Sequence, residues 1–347
     1  MKSLAILTIF GAFNYGNRLQ DHAMQSIASK MGFNTESLYS IKNAKTVIVK
    51  TRIRHLIKGF VRGSFGDLRR GLLFDKFNRK YVTLKECNNS NQNYDYYICG
   101  SDQIWNPEFA GKDFYFATFA PKEKRIAYAA SFGVDKIPEA ELERYTKNLN
   151  EMKAISVRED AGAKIVYELT GRKVKTVLDP TMLLTSEEWR SIENKPKYIK
   201  NDKFVLTYFL GKVSSQTRKY IEEECAKRGL KLINLEEMQH NEYWYATGPS
   251  EFVWLIEHSE AMFTDSFHGA VFSVLMNTPF TVFEREDTLG SMTSRIDTLL
   301  STLELEDRKY VKGKNTDCFN ADYSRAYINL EKAREESLEY LKKELEI

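Results

Sequence analysis

Ala261-Met262-Phe263-Thr264-Asp265-Ser266-Phe267-His268-Gly269 reads as a short apolar strand that runs into a tight turn. Behind it stand Ala270-Val271-Phe272-Ser273-Val274-Leu275-Met276, then Asn277-Thr278-Pro279 and a second apolar run, Phe280-Thr281-Val282-Phe283. Strand, turn, helix, Pro-punctuated loop and strand make a βαβ unit. Ligands of open α/β sheets bind at such strand ends. The first turn of the following helix offers unpaired N–H groups and about half a positive charge to an anion. Two readings of His268 follow. Its imidazole stands beside an anion site, or it is a buried, hydrogen-bonded His behind a capping Ser266.

The same pattern recurs outward from this unit. A strand over 4–9 meets a permissive turn holding Gly11, Asn14, Gly16 and Asn17, and a helix over 18–31 that Gly32 stops. Further strands over 96–99, 125–130 and 175–178 end in Gly100-Ser101-Asp102-Gln103-Ile104-Trp105, Ser131-Phe132-Gly133 and Asp179-Pro180-Thr181. Ala154-Ile155-Ser156-Val157 runs likewise into Arg158-Glu159. Strands alternating with helices predict an α/β fold with mostly parallel sheets covered on both faces. The polar segment 195–202, with Pro196, is the best linker. It divides a first domain over 1–195 from a second over 203–318 that opens on Phe204-Val205-Leu206-Thr207-Tyr208. From 322 to 347 one helix is expected, capped by Asp322 or Ser324. Its apolar stripe of Tyr327, Leu330, Leu338, Leu341 and Leu345 is expected to cross back onto the first domain.

A chain of 347 residues is too long for one ordinary core and suits two domains. Its net charge of +3 is too small to imply nucleic acid by itself. Cys87, Cys99, Cys225 and Cys318 are scattered without a CxxC pair, so no metal cluster or disulfide framework is expected, which fits a reducing cytoplasm. The apolar start of the chain reads as a buried strand rather than a signal peptide, and no apolar run is long enough to span a bilayer. Residues 45–80 stand apart: basic residues from Lys45 to Lys80 greatly outnumber Asp67 and Asp75, with apolar residues interleaved. They read as a basic amphipathic helical insertion. It touches a membrane surface or a lipid-linked acceptor, or it is an ordinary insertion with a solvated basic face.

Taken together, the motifs Gly11-Ala12-Phe13-Asn14-Tyr15-Gly16-Asn17-Arg18-Leu19-Gln20, Gly100 to Trp105, Ala130 to Gly133, Ser156 to Glu159, Asp179 to Leu184 and Asp265 to Gly269 resemble the polysaccharide pyruvyl transferase family over nearly the whole chain. The resemblance implies two Rossmann-like domains arranged as in GT-B glycosyltransferases, with the site in the interdomain cleft. It implies phosphoenolpyruvate as donor co-substrate with no further cofactor or metal. The acceptor would be a sugar hydroxyl pair of a glycan or lipid-linked oligosaccharide, and the product a pyruvate ketal; the location expected from the cysteines and the basic segment is cytoplasmic, with peripheral contact at the inner membrane face. The chain departs from the family pattern at Ser266, where characterised members often carry Arg.

Making a ketal from an enol phosphate requires a proton at the terminal methylene, and imidazole is the side chain poised for that near neutral pH. His268 is the candidate acid, with Asp265 in the same turn placed to orient it and Asp102 as a second acid/base candidate. The donor carries two anionic groups. Arg158 and Arg295 are the candidate guanidinium anchors, and Ser266 and Gly269 at the helix start supply further donors. Arg158 alternatively pairs with Glu159 or Asp160. Asn14, Asn17, Ser101, Gln103 and Trp105 are the candidate acceptor contacts, with Trp105 alternatively filling the core. Asp179 reads as a turn former before Pro180. A nucleotide-sugar glycosyltransferase, with Glu284 or Glu286 holding a ribose, and a non-catalytic glycan-binding protein are the competing functions.

Overall fold

A computed structural model describes residues 1–10, 13–39, 66–87, 93–108, 112–200, 203–235, 246–285, 293–313 and 317–347. Among these, eleven strands form two all-parallel sheets. The first contains β1 (Ser3–Leu7), β2 (Asn34–Tyr39), β3 (Leu84–Glu86), β4 (Tyr96–Cys99), β5 (Arg125–Ala130), β6 (Ala154–Val157) and β7 (Lys175–Thr176), in the order β3-β2-β1-β4-β5-β6-β7. The second contains β8 (Phe204–Tyr208), β9 (Lys231–Asn234), β10 (Ala261–Thr264) and β11 (Phe280–Val282), in the order β11-β10-β8-β9. The described α-helices are α1 (Tyr15–Lys30), α2 (Gly66–Tyr81), α3 (Leu142–Asn150), α4 (Asp160–Thr170), α5 (Ser186–Arg190), α6 (Ser215–Lys227), α7 (Pro249–Glu257), α8 (Phe267–Leu275), α9 (Thr293–Leu303) and α10 (Ser324–Glu344).

The continuous apolar strands follow from burial on both faces. Leu4 and Ile6 of β1 join one core cluster, whereas Ala5 and Leu7 join another. In β4, Tyr96 and Ile98 divide from Tyr97 and Cys99 in the same way, as the period of two requires. The first of these clusters also takes Leu206, Phe252 and Met262, so it runs without a break from one sheet to the other. The order of strands reverses between β1 and β4 in the first sheet and between β8 and β10 in the second. Both reversals are switch points, where chain leaving adjacent strands diverges and opens a crevice. The motifs of the sequence lie at these strand ends.

Strands β2 and β3 are additions to the sequence reading, and the expected strand over 175–178 shortens to two residues at the sheet edge. Helix α10 does cross back: its Ser337 Oγ accepts the N–H of Leu178 at 3.1 Å, and Lys153 Nζ donates to the carbonyl of Glu344 at 2.8 Å. Its start differs from expectation. Tyr323 occupies the cap position, and Asp322 accepts from Ser324 N–H at 2.9 Å instead of capping the helix. Of the basic segment, residues 45–65 lie outside the described residues. In α2, Arg69, Lys76, Arg79 and Lys80 are exposed, but Arg70 is not part of a solvated face. It is buried, its guanidinium lies 4.7 Å from the Tyr15 ring centre, and it donates to the carbonyls of Phe13 (3.1 Å) and Leu235 (3.4 Å). No described helix is long and apolar enough to cross a membrane.

Candidate active site

Five strand ends converge between the sheets. From β1, Asn14 caps α1 by accepting the N–H of Asn17 at 3.2 Å, and the Asn17 amide in turn donates to Asp102. From β4 come Ser101 and Asp102. The Ser101 hydroxyl donates to Asp179 at 2.6 Å, and its N–H donates to Gln20 at 3.2 Å. Asp102 has φ 68°, a left-handed conformation that costs a non-glycine residue roughly 1 kcal/mol. It aims its carboxylate at Asn17 and, at 3.3 Å, at Arg158 Nη2.

Arg158, at the end of β6, also donates Nη1 to Asp179 at 2.6 Å, and its guanidinium lies 4.4 Å from the ring centre of Phe267. Asp179, beyond β7, is 1% exposed and accepts from both the N–H (3.0 Å) and hydroxyl (2.8 Å) of Thr181. The second sheet contributes His268, in the first turn of α8. Its Nε2 stands 3.7 Å from Asp179 Oδ1, an ion-pair distance beyond hydrogen-bond reach. A cavity of about 170 Å³ adjoins Arg158, Asp179 and Phe267 and extends to Thr298 and Ser337.

Asp179 is the electrostatic hub. Burial alone would raise its pKa, but His268, Arg158 and Ser101 hold the carboxyl well below the usual carboxylate range. Burial likewise opposes charge on Arg158, and Asp179, Asp102 and Glu159 outweigh it and raise the guanidinium further. Arg295, on α9, shows the reverse. Burial and the charges of Arg158 and Arg285 push it down to about 10, against the pull of Glu159 and Asp102. Three guanidinium groups thus gather in low-dielectric surroundings, and Arg295 carries the repulsion of the other two. Two buried nitrogens here, Arg158 Nε and His268 Nε2, have no hydrogen-bond partner among the described residues. Orphaned buried polar atoms are uncommon and mark a place where a ligand or water completes the network.

Several sequence expectations change. Trp105 is fully buried, stacks on Phe116 at 5.1 Å and donates Nε1 to the Tyr115 carbonyl at 3.2 Å; it is core and offers no face to a sugar. The Gly269 N–H donates to the Ser266 hydroxyl oxygen at 3.3 Å as the α8 cap, so that N–H is used within the turn, while the Ser266 O–H is not used by this bond. The N–H groups of Phe267 and His268, the first two of α8, have no acceptor within the helix. Asp265 does not orient His268. It accepts from the N–H groups of Leu210 and Gly211, both at 2.7 Å, and lies 3.1 Å from Arg285 Nε, because the turns after neighbouring β8 and β10 abut. Gln103 is buried with its amide against Gly133. Glu159 does not pair with Arg158; it accepts from Ser131 Oγ and Phe132 N–H, both at 2.9 Å. Glu284 is exposed and paired with Lys309 at 2.8 Å, while Glu286 lies outside the described residues.

Asp179 does start the turn before Pro180, accepting the Thr181 N–H, but its place beside Arg158 and His268 was missed from the sequence. Its signal was available: a polar residue just past a strand, in the same situation as Asp102 and Arg158. Pro180 drew attention to the turn instead. Arg285 was missed because it lies beyond the strand-end motifs.

A family model for polysaccharide pyruvyl transferase matches residues 14–287, from the α1 cap through the α8 turn to Arg285. The chain belongs to the polysaccharide pyruvyl transferase family. No curated protein sequence matches it. Among solved structures, this family member is similar to a protein of Listeria monocytogenes described as a UDP-N-acetylglucosamine 2-epimerase. The TM-score is 0.51 at 9% identity, over 97% of this chain and 91% of that one. It also matches E. coli ADP-heptose lipopolysaccharide heptosyltransferase II, with a TM-score of 0.35 at 12% identity over 97% and 99% of the two chains. The first likeness is one of fold alone, a two-domain GT-B-like α/β architecture.

Proposed function

We propose that this pyruvyl transferase family member moves the pyruvyl group of phosphoenolpyruvate onto two hydroxyls of a sugar, forming a ketal and releasing phosphate. The observation that carries this reading is the junction of His268 from one domain with the Arg158–Asp179 pair of the other. One side of the cleft supplies a proton carrier, and the other an anion anchor.

In this scheme the His268 imidazolium gives a proton to the donor's methylene carbon, which becomes a methyl group and leaves positive charge at C2. A sugar hydroxyl bonds to C2 and surrenders its proton. A second hydroxyl then bonds there as the C–O bond to phosphate breaks, and its proton leaves with the phosphate. Arg158 grips one anionic group of the donor. Arg295 and the first N–H groups of α8 serve the other, in place of the Arg that other members carry at the position of Ser266. Asp102, held by Asn17, accepts a proton from the sugar, and Asn14 lies on the acceptor side. The acceptor is a glycan or lipid-linked oligosaccharide presented at the cytoplasmic membrane face, toward which the exposed cations of α2 contribute attraction.

The test is phosphate release from phosphoenolpyruvate in the presence of a glycan panel, alongside a thermal-shift comparison with nucleotide sugars. Acceptor-dependent phosphate release with a ketal product supports the reading. Stabilisation by a nucleotide sugar alone replaces it with glycosyl transfer.

A further inference from the structure

Gly16 is the second residue of α1, on the first-domain side of the cleft, and it is buried. A Cβ placed on it would come within 2.5 Å of both Cε1 and Cγ of His268 and closer still to Nδ1. The imidazole therefore rests on the bare Cα of a residue from the other domain, while its far edge faces Asp179 at 3.7 Å. The backbone does not call for glycine here, since Gly16 lies inside a regular helix without a positive φ. In that setting glycine is a poorer helix former than alanine. Close approach by the imidazole is what excludes a side chain.

The neighbours of Gly16 fix where this seat lies. Tyr15 reaches into the second domain, stacking on Phe252 with ring centres 4.4 Å apart and planes 8° from parallel, and its hydroxyl donates to the Thr247 carbonyl at 3.4 Å. Asn17 holds Asp102. Three consecutive residues thus lock the second domain, support its imidazole and aim a carboxylate of the first domain.

We infer that Gly16 positions the imidazole of His268, so that the proton-transfer group is complete only when the first domain is docked against the second. This rests on the reading of His268 as the acid. A ring displaced by about an ångström loses alignment with the reacting carbon, at a cost that reaches 10²-fold in turnover.

The experiment is a double-mutant cycle in the full chain: Gly16→Ala, His268→Ala and the pair. Turnover of phosphoenolpyruvate, its affinity by calorimetry and the melting temperature are measured for each. Gly16→Ala should lower kcat by about 10²-fold, toward the level of His268→Ala, with donor affinity within about threefold of wild type. The double variant should be no slower than His268→Ala. Gly16→Ala should lower the melting temperature, and removing the ring should relieve that loss, because the new methyl then enters vacated space. A Gly16→Ala protein with wild-type turnover overturns the inference, as does a double variant in which the two losses simply add in rate or melting temperature. If wild type never turns over phosphoenolpyruvate, the functional reading fails. The melting-temperature cycle still decides whether Gly16 seats His268.

Discussion

Two aspartates of the first domain, Asp179 and Asp21, are buried to the same degree and behave in opposite ways. Asp179 sits among Arg158, His268 and Ser101 and stays ionised far below the ordinary carboxylate range. Asp21, on α1, accepts from the Ser37 hydroxyl and, at 3.3 Å, from Gln25. Its pKa rises to about 6 because burial outweighs those bonds and the pull of Arg18. Burial is common to both, so it does not mark the site. What distinguishes Asp179 is the number of cationic and donor groups that converge on it from separate strand ends. Asp21 is bonded through Oδ1 alone, within α1 and to the adjacent β2, and its Oδ2 has no hydrogen-bond partner among the described residues.

The largest effect expected on this contrast comes from Arg158→Ala. It leaves Asp179 and Asp102 without their cation, and loss of one partner of a buried pair costs about 3–5 kcal/mol. Urea unfolding at neutral pH measures this, and Arg158→Lys should recover part of it, since a point charge cannot reproduce the two-armed contact. His268→Ala should instead leave the fold intact and lower turnover of phosphoenolpyruvate by roughly 10²-fold or more, the scale of lost acid–base catalysis. A folded His268→Ala protein with normal turnover moves the acid to Asp102.

At Asp21 the sign reverses. Its folded value of about 6 lies above the ordinary 3.8, so folding favours the neutral acid. That contribution is complete below about pH 4 and is lost as pH rises through about 6. Asp21→Asn should therefore stabilise the protein at pH 8 by about 2–3 kcal/mol and change little at pH 4.5, as read from unfolding curves at the two pH values. Asp179, with its depressed value, contributes above about pH 4 and loses that contribution as pH falls, so no such gain is expected from Asp179→Asn. A stabilising Asp179→Asn at pH 8 would erase the contrast. The smallest effect belongs to Trp105→Phe, which removes one buried hydrogen bond to Tyr115, worth about 1 kcal/mol of stability. Acceptor KM should not move.

Much of this arrangement was legible in the sequence because strand ends of parallel sheets carry the polar residues that face a crevice. Asn17, Ser101, Asp102, Arg158 and His268 could all be singled out that way. Strands β2 and β3 were not, because Asn34–Tyr39 and Leu84–Glu86 are short and mixed in polarity, lying toward the sheet edge. Partnership across the cleft was also hidden. Nothing local says that His268 meets Asp179 rather than Asp265, since that depends on how two sheets dock. The same holds for Gly16, whose glycine looks like a turn residue until the imidazole is seen above it. Trp105 shows how an open alternative is settled: the motif allowed a sugar platform or a core side chain, and its neighbours Phe116 and Phe132 bury it.

The division of labour between anchor and acid is tested most directly by calorimetric titration of phosphoenolpyruvate into wild type, Arg158→Lys and His268→Ala. The predicted result is binding by wild type, binding within about threefold of that by His268→Ala, and binding weakened about tenfold or more by Arg158→Lys, the loss of one charge-assisted contact. Unchanged affinity in Arg158→Lys, or affinity lost with His268 alone, would contradict the assignment of Arg158 as the donor anchor and His268 as the acid.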